Sequence, residues 1–203
     1  MTSPWAGRRD ELARSLSEVK SLSQENIEKL LHAAEHMHNV YLLGSPGVGK
    51  TMIARRIASA LGGVFRAPHH TISTSGMRGG RSAHAIYLGE IGRAQGGTLF
   101  LDEAPEFSRQ TLDAVSHAYQ EGYFSIAQGG EIFNVHYPQG AGGFRLILAS
   151  NPCPCGCRQP TCKCNEAQIS NYLARIQPLR DLCETQLNLS AGEQGEPRLG
   201  SSP

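Results

Sequence analysis

The chain has 203 residues, 39% of them hydrophobic, and a net charge of +1, which suits one sizeable core and leaves no room for a second large domain. A charge balance this even carries no global basic field of the kind that draws nucleic acid. The first twenty residues hold Arg8, Arg9, Asp10, Glu11 and Arg14 without an apolar run, which excludes an ordinary signal peptide. No apolar stretch reaches the roughly 18 residues of a membrane span. The expected setting is cytoplasmic, without a membrane partner and with reduced thiols.

In chain order, residues 1–22 read as a weakly ordered arm. Ile27, Leu30, Leu31 and Ala34 trace one face of a helix that the serines before it can cap. Strand candidates follow at 40–43, 63–66, 97–101, 145–149 and 185–189, and the helices or long connections between them suit parallel crossovers, an α/β sandwich. Leu112, Val115 and Tyr119 mark a helix before two β-type runs, Tyr123 to Ala127 and Ile132 to Tyr137. These flank Gln128-Gly129-Gly130-Glu131 as a projecting hairpin inserted among the core strands. The body spans 23–189, and 190–203, rich in Gly, Ser, Pro and Glu, reads as a disordered tail.

Residues 44 to 51 are Gly44-Ser45-Pro46-Gly47-Val48-Gly49-Lys50-Thr51, directly after the apolar run Val40 to Leu43. This is the P-loop pattern in its proper context, a strand before it and a helical stretch after it carrying Ile53, Ile57 and Leu61. The glycines let backbone N–H groups face a polyphosphate, Lys50 reaches its outer phosphates, and the Thr51 hydroxyl is placed to hold Mg²⁺. About 50 residues on, the apolar run Thr98 to Leu101 ends in Asp102-Glu103. Asp102 suits Mg²⁺, and Glu103 suits a general base that polarises the attacking water. The bland alternative is a core strand that happens to end in surface acids.

Five of the six cysteines fall between 153 and 164, as Cys153-Pro154-Cys155-Gly156-Cys157 and Cys162-Lys163-Cys164. In a chain without disulfides such density suits metal, and two Cys-x-Cys arms across a short loop would give four thiolates for a tetrahedral structural Zn²⁺. The tight arms leave a reduced, unliganded loop as the alternative. Cys183 reads as a core residue, and His69 and His70, beside Pro68 with no carboxylate near them in the chain, read as structural.

The strings Phe65-Arg66-Ala67-Pro68-His69-His70-Thr71-Ile72-Ser73, Gly89-Glu90-Ile91, Leu99 to Glu103 with Pro105 to Arg109, and Asn151-Pro152-Cys153-Pro154-Cys155-Gly156 together resemble the magnesium-chelatase-like AAA+ ATPases of the ComM/YifB type, over roughly residues 24 to 189. The resemblance implies a P-loop NTPase (AAA+) fold, a three-layer αβα sandwich on a five-stranded, mainly parallel sheet. It implies an ATP-driven motor that assembles with itself or with homologous AAA+ subunits into a ring, and a role in DNA remodelling. By the same resemblance Gly44 to Thr51 with Asp102 and Glu103 form the ATP site, Asn151 is the sensor that orients the attacking water, and Cys153, Cys155, Cys162 and Cys164 stand at the family's cysteine positions while Cys157 is extra. Without the resemblance Asn151 reads as a turn residue before Pro152.

Three departures limit what carries over. The family's flanking Lon-like domain and helical lid have no counterpart in these residues. Where the family offers an arginine to the neighbouring subunit's γ-phosphate, this chain reads Leu179-Arg180-Asp181-Leu182-Cys183-Glu184, with Leu182 at the arginine's position and Arg180 as the substitute to consider. The hairpin tip, arginine-rich in the family, offers no cation here, so Arg78 and Arg81 become the candidates for nucleic-acid contact.

Overall fold

The computed structural model describes residues 4–82, 85–128, 131–157 and 162–189. The tail expected at 190–203 and the hairpin tip Gly129-Gly130 lie outside these residues.

The chain opens with helix α1 (Pro4–Ser17), and here the sequence reading of a weakly ordered arm is corrected. Leu12 and Leu16, one turn apart, are fully buried, and Val19 follows them into the core. Two leucines make a stripe too narrow to stand out among the arginines of this segment, so the helix is held by tertiary packing rather than by an evident amphipathic face. Helix α2 (Gln24–Glu35) is capped by the Ser23 side chain, which accepts from the Asn26 backbone N–H, and buries Ile27, Leu30, Leu31, Ala33 and Ala34.

The body then alternates: β1 (Val40–Gly44), α3 (Lys50–Leu61), β2 (Phe65–Arg66), α4 (Thr74–Arg78), β3 (Gly79–Arg81), β4 (Ile86–Leu88), α5 (Glu90–Ala94) and β5 (Thr98–Leu101). A 3₁₀ turn at Ala104–Glu106 leads to α6 (Arg109–Glu121), β6 (Tyr123–Gln128), β7 (Glu131–His136), β8 (Arg145–Ser150), α7 (Glu166–Ala174), α8 (Gln177–Arg180) and β9 (Thr185–Leu189). Five strands form one sheet in the order β2-β5-β8-β1-β9, and every pairing in it is parallel. Such a sheet is covered on both faces, which is why its inner strands β5, β8 and β1 read as largely apolar runs, while the edge strand β9 alternates. All six residues of β8 are buried. One core layer gathers Leu12, Leu30, Ile53 and Ile57, the other Phe107, Leu112, Val115 and Phe124.

Chain order reverses between β1 and β8: α3 carries the chain from β1 to the β2 edge, whereas α7 and α8 carry it from β8 to β9. The crevice outside the carboxyl ends of the strands at such a switch is where open α/β sheets bind ligands. The P-loop, Asp102-Glu103 and Asn151 all follow strand ends on that edge. The expected hairpin is present as β6 and β7, paired from Tyr123↔His136 to Gln128↔Glu131. A second, shorter hairpin of β3 and β4 has no counterpart in the sequence reading.

Candidate functional site

The P-loop conformation depends on two glycines. Gly47 (φ 81°) and Gly49 (φ 94°) occupy left-handed backbone that favours glycine. A third, Gly44, has no room for a side chain, because a Cβ there would stand 2.9 Å from the Leu189 carbonyl oxygen. Helix α3 starts at Lys50 without a side-chain cap on its first turn, so its orphan N–H groups remain for an anion.

Lys50 is 7% exposed. Its Nζ donates to the Gly44 carbonyl at 2.5 Å, to the Ser45 carbonyl at 3.2 Å and to Asn151 Oδ1 at 3.0 Å. Burial draws the Lys50 ammonium below its usual range, while the Asp102 and Glu103 carboxylates oppose that shift. Beside it, Thr51 Oγ1 donates to Asp102 Oδ2 at 2.6 Å. The two nucleotide motifs therefore meet at the hydroxyl and carboxylate expected to share Mg²⁺, an oxygen donor set that fits this hard cation.

Glu103 is one of two non-glycine residues with positive φ (51°) among the described residues. Its backbone N–H donates to Asp102 Oδ1 at 3.0 Å, and its side chain is exposed. Left-handed backbone costs a residue with a side chain on the order of 1 kcal/mol, a strain characteristic of functional positions. Here the turn carries Glu103 off the end of β5 into solvent beside Asp102, the position of a group that addresses water.

His69 and His70 share a cavity of about 250 Å³ with Thr51, Asp102 and Glu103. The expectation of a histidine pair without carboxylates is thereby corrected: the acids are distant in sequence and come from the end of the neighbouring strand β5. The rings lie 4.2 Å apart, and His69 Nδ1 is 2.9 Å from Thr71 Oγ1. Their loop is anchored by Arg66, which donates to both carboxylate oxygens of Glu90 at 2.7 and 2.8 Å. Sequence reasoning assigned neither Arg66 nor Glu90 a role, although both lie in the strings that carry the resemblance.

The finger region differs from a free cation. Leu182 is half-buried and packs against the core. Arg180 lays its guanidinium over the Tyr41 ring at 5.3 Å and donates from Nε to Gln186 Oε1 at 3.0 Å. Of the two candidates for nucleic-acid contact, Arg78 ends α4 with a buried Nε, and Arg81 is exposed on β3.

Cys153, Cys155, Cys162 and Cys164 come together with all four sulfurs within 4.8 Å of one another. Cys153 and Cys155 are 3.3 Å apart, Cys162 and Cys153 3.4 Å, and Cys155 and Cys162 3.6 Å. A tetrahedral ion with bonds of about 2.3 Å spaces its sulfurs by about 3.8 Å, so small adjustments seat one. Cys157 adds a backbone N–H directed at Cys155 Sγ at 3.4 Å, a contact that favours the thiolate and holds Cys155 below its ordinary value. The loop leans on the nucleotide site: a Cβ at Gly156 would lie 3.5 Å from Pro46 Cγ and 3.8 Å from Asn151 Nδ2. Cys183 is buried as expected, with its thiol pushed up to about 12 by desolvation.

A parallel sheet in this order, with a P-loop at its switch point and an acidic pair on the adjoining strand end, defines an AAA+ ATPase-like module. The sequence matches the family described as magnesium chelatase, subunit ChlI, over residues 15–64 and 62–196, and the chain belongs to that family. It is 33% identical over 195 residues to uncharacterized protein YifB of Escherichia coli, covering 81% of this chain and 37% of that protein. It is 31% identical over 205 residues to competence protein ComM of Haemophilus influenzae, covering 86% and 39% respectively. Salmonella typhimurium YifB is 34% identical over 168 residues, 68% of this chain and 32% of its own. The chain thus spans about two fifths or less of these relatives. Among the described residues no helix is long and apolar enough to cross a membrane.

Proposed function

We propose that this module binds Mg·ATP at the P-loop and serves as the ATPase part of a DNA-remodelling ring, with hydrolysis completed by a neighbouring AAA+ subunit. The observation that carries this reading is the bond from Thr51 to Asp102, flanked by Lys50 on Asn151. In the proposed reaction the backbone from Gly44 to Gly49 and Lys50 hold the phosphates, and Thr51 and Asp102 hold Mg²⁺, which neutralises charge developing on the phosphate oxygens. Glu103 takes a proton from the attacking water, and Asn151 orients that water. Cys153, Cys155, Cys162 and Cys164 hold a structural Zn²⁺ that fixes the loop following Asn151. The DNA role rests on membership of the family and on its relatives alone.

A second reading, a catalytically weak nucleotide-dependent subunit that co-assembles with a full-length relative, is favoured by Leu182 at the finger position and by the engagement of Arg180 with Tyr41 and Gln186. An arginine finger contributes roughly 10³ to 10⁵ in rate in other nucleotide hydrolases. The deciding experiment measures ATP turnover of the purified chain alone, with DNA, and with a finger-bearing relative, alongside its mass by light scattering. Slow turnover alone and activity above the sum of the parts on mixing support the partner-dependent module. Fast, DNA-stimulated turnover by the isolated chain returns it to the self-sufficient motors, with Arg180→Ala then expected to abolish that rate.

A further inference from the structure

Arg145 opens β8 at the edge of the sheet opposite Asn151 and is only 4% exposed. Its Nε is buried without a hydrogen-bond partner, Nη2 donates to the thioether Sδ of Met37, and no carboxylate forms a salt bridge with it among the described residues. A thioether is a weak acceptor. A guanidinium removed from water and left with so little compensation is costly, and buried charges of this kind are normally paired. The cost shows in the group itself, whose pKa burial draws down to about 10.

The residue does not face solid core. It lines a cavity of about 360 Å³ together with Met37, Tyr119, Gly142 and Gly143. Tyr119 supplies a second unused donor: its hydroxyl oxygen accepts from Asn39 Nδ2 at 2.7 Å, which leaves the phenolic O–H free to donate. Met37 stands over the guanidinium on a left-handed turn (φ 59°) and is 63% exposed, so its flexible side chain can swing away without disturbing the core. A planar guanidinium and a phenol converging on one polar, roomy cavity form a donor set for the oxygens of an anion.

We propose that this cavity is a second anion site, remote from the P-loop, that takes the phosphate group of a small ligand through Arg145 and Tyr119 once the Met37 side chain moves aside. Inorganic phosphate and a small phosphomonoester present the same oxygens to it.

The test uses the full chain carrying Lys50→Ala, which weakens the P-loop as a competing phosphate site, with inorganic phosphate and methyl phosphate as separate probes and chloride as the ionic-strength control. Phosphate, and not chloride, is expected to raise the melting temperature and to give a saturable calorimetric signal. Adding Arg145→Gln should raise the dissociation constant about tenfold or more, the loss expected for a charge-assisted pair. Tyr119→Phe, which keeps the ring packed against Phe144, should raise it several-fold, and gives a second variant if Arg145→Gln disturbs the buried strand. Stronger binding of methyl phosphate than of inorganic phosphate identifies a monoester as the ligand, and the reverse identifies the free ion. No response to either probe in the Lys50→Ala chain, or equal responses with and without Arg145 and Tyr119, overturns the proposal. Loss of self-association in Arg145→Gln without any phosphate response also overturns it, in favour of a carboxylate supplied by a neighbouring copy.

Discussion

Lys50 Nζ and Asn151 Oδ1 are joined by a hydrogen bond of 3.0 Å that spans the neighbouring strands β1 and β8. The cation expected on the phosphates and the amide expected on the water thus share one bond, and substitutions at the site should separate binding from turnover. Lys50→Ala is expected to reduce ATP affinity by two orders of magnitude or about that, since it removes the only side-chain cation of the P-loop. Glu103→Gln should bind ATP within about threefold of wild type and hydrolyse it at least about a hundredfold more slowly, because only the proton acceptor is lost. Titration with a fluorescent ATP analogue and a single-turnover assay read both. Equal affinities for wild type and Lys50→Ala would remove the P-loop assignment.

The cysteine cluster should carry about one Zn²⁺ per chain after chelator-free purification under reducing conditions. Cys153→Ser combined with Cys164→Ser is expected to lower both metal content and melting temperature, whereas Cys157→Ser should keep the metal while weakening it only slightly. Elemental analysis with calorimetry checks this, and metal-free wild-type protein that melts at an unchanged temperature after zinc is added would dismiss the site.

The pair of Arg66 with Glu90 makes stability depend on pH. The hydrogen bond from Arg66 lowers the Glu90 pKa, so the unfolded chain binds a proton more readily than the folded one at this residue. The contribution is present above the unfolded carboxylate value of about 4.3 and is lost as pH falls through the lower folded value. Glu90→Gln should therefore destabilise by about 1 to 2 kcal/mol at pH 7, and the difference from wild type should shrink below about pH 4. Thermal melts across pH 3 to 8, on the order of ten points each, would show a gap independent of pH if the pair acted through packing alone.

Asn39 is 1% exposed and stitches the start of β1 to three other segments. Its side chain donates to the Leu182 carbonyl at 2.8 Å and to Tyr119 at 2.7 Å, and accepts from the Leu146 N–H at 2.8 Å. Asn39→Ala strands a buried backbone donor and acceptor, and should cost about 2 to 4 kcal/mol, on the order of 10 °C in melting temperature. A loss below about 1 kcal/mol in chemical denaturation would mean that water replaces the network.

The contrast between β8 and the segment before α2 marks what the sequence disclosed and what it withheld. The expected bounds of β1, β8 and β9 lie within one residue of the observed ends: β1 and β8 are short apolar runs buried on both faces, whereas β9 alternates, with Leu187 and Leu189 buried and Gln186 and Asn188 exposed. Strand β2 was expected over 63–66 and is only Phe65–Arg66, since Gly63 turns with φ 84° before the pairing begins. The P-loop pattern, the acid pair and the cysteine spacing stand out because each is a set of particular residue types at fixed spacing, whereas Asn151 is singled out only through the family resemblance. The cavity joining His69 and His70 to Asp102, and the stitch made by Asn39, arise where distant segments meet, and no local pattern encodes such a meeting.

Helix α1 leads into a brace for the phosphate loop. Ser21 Oγ donates to the Val48 carbonyl at 2.5 Å, and a Cβ placed on Gly49 would come within 3.0 Å of Val19 Cγ1. The backbone curve that would wrap a triphosphate is thus propped from outside by residues that touch no ligand. A chain trimmed to begin at Ser23 would retain every residue of the P-loop and lose the prop. It is expected to bind ATP several-fold more weakly through a floppier loop, the added ordering being charged against binding. The amino-terminal helix thereby acts on the phosphate loop at a distance, setting how much of its order is already in place before a ligand arrives.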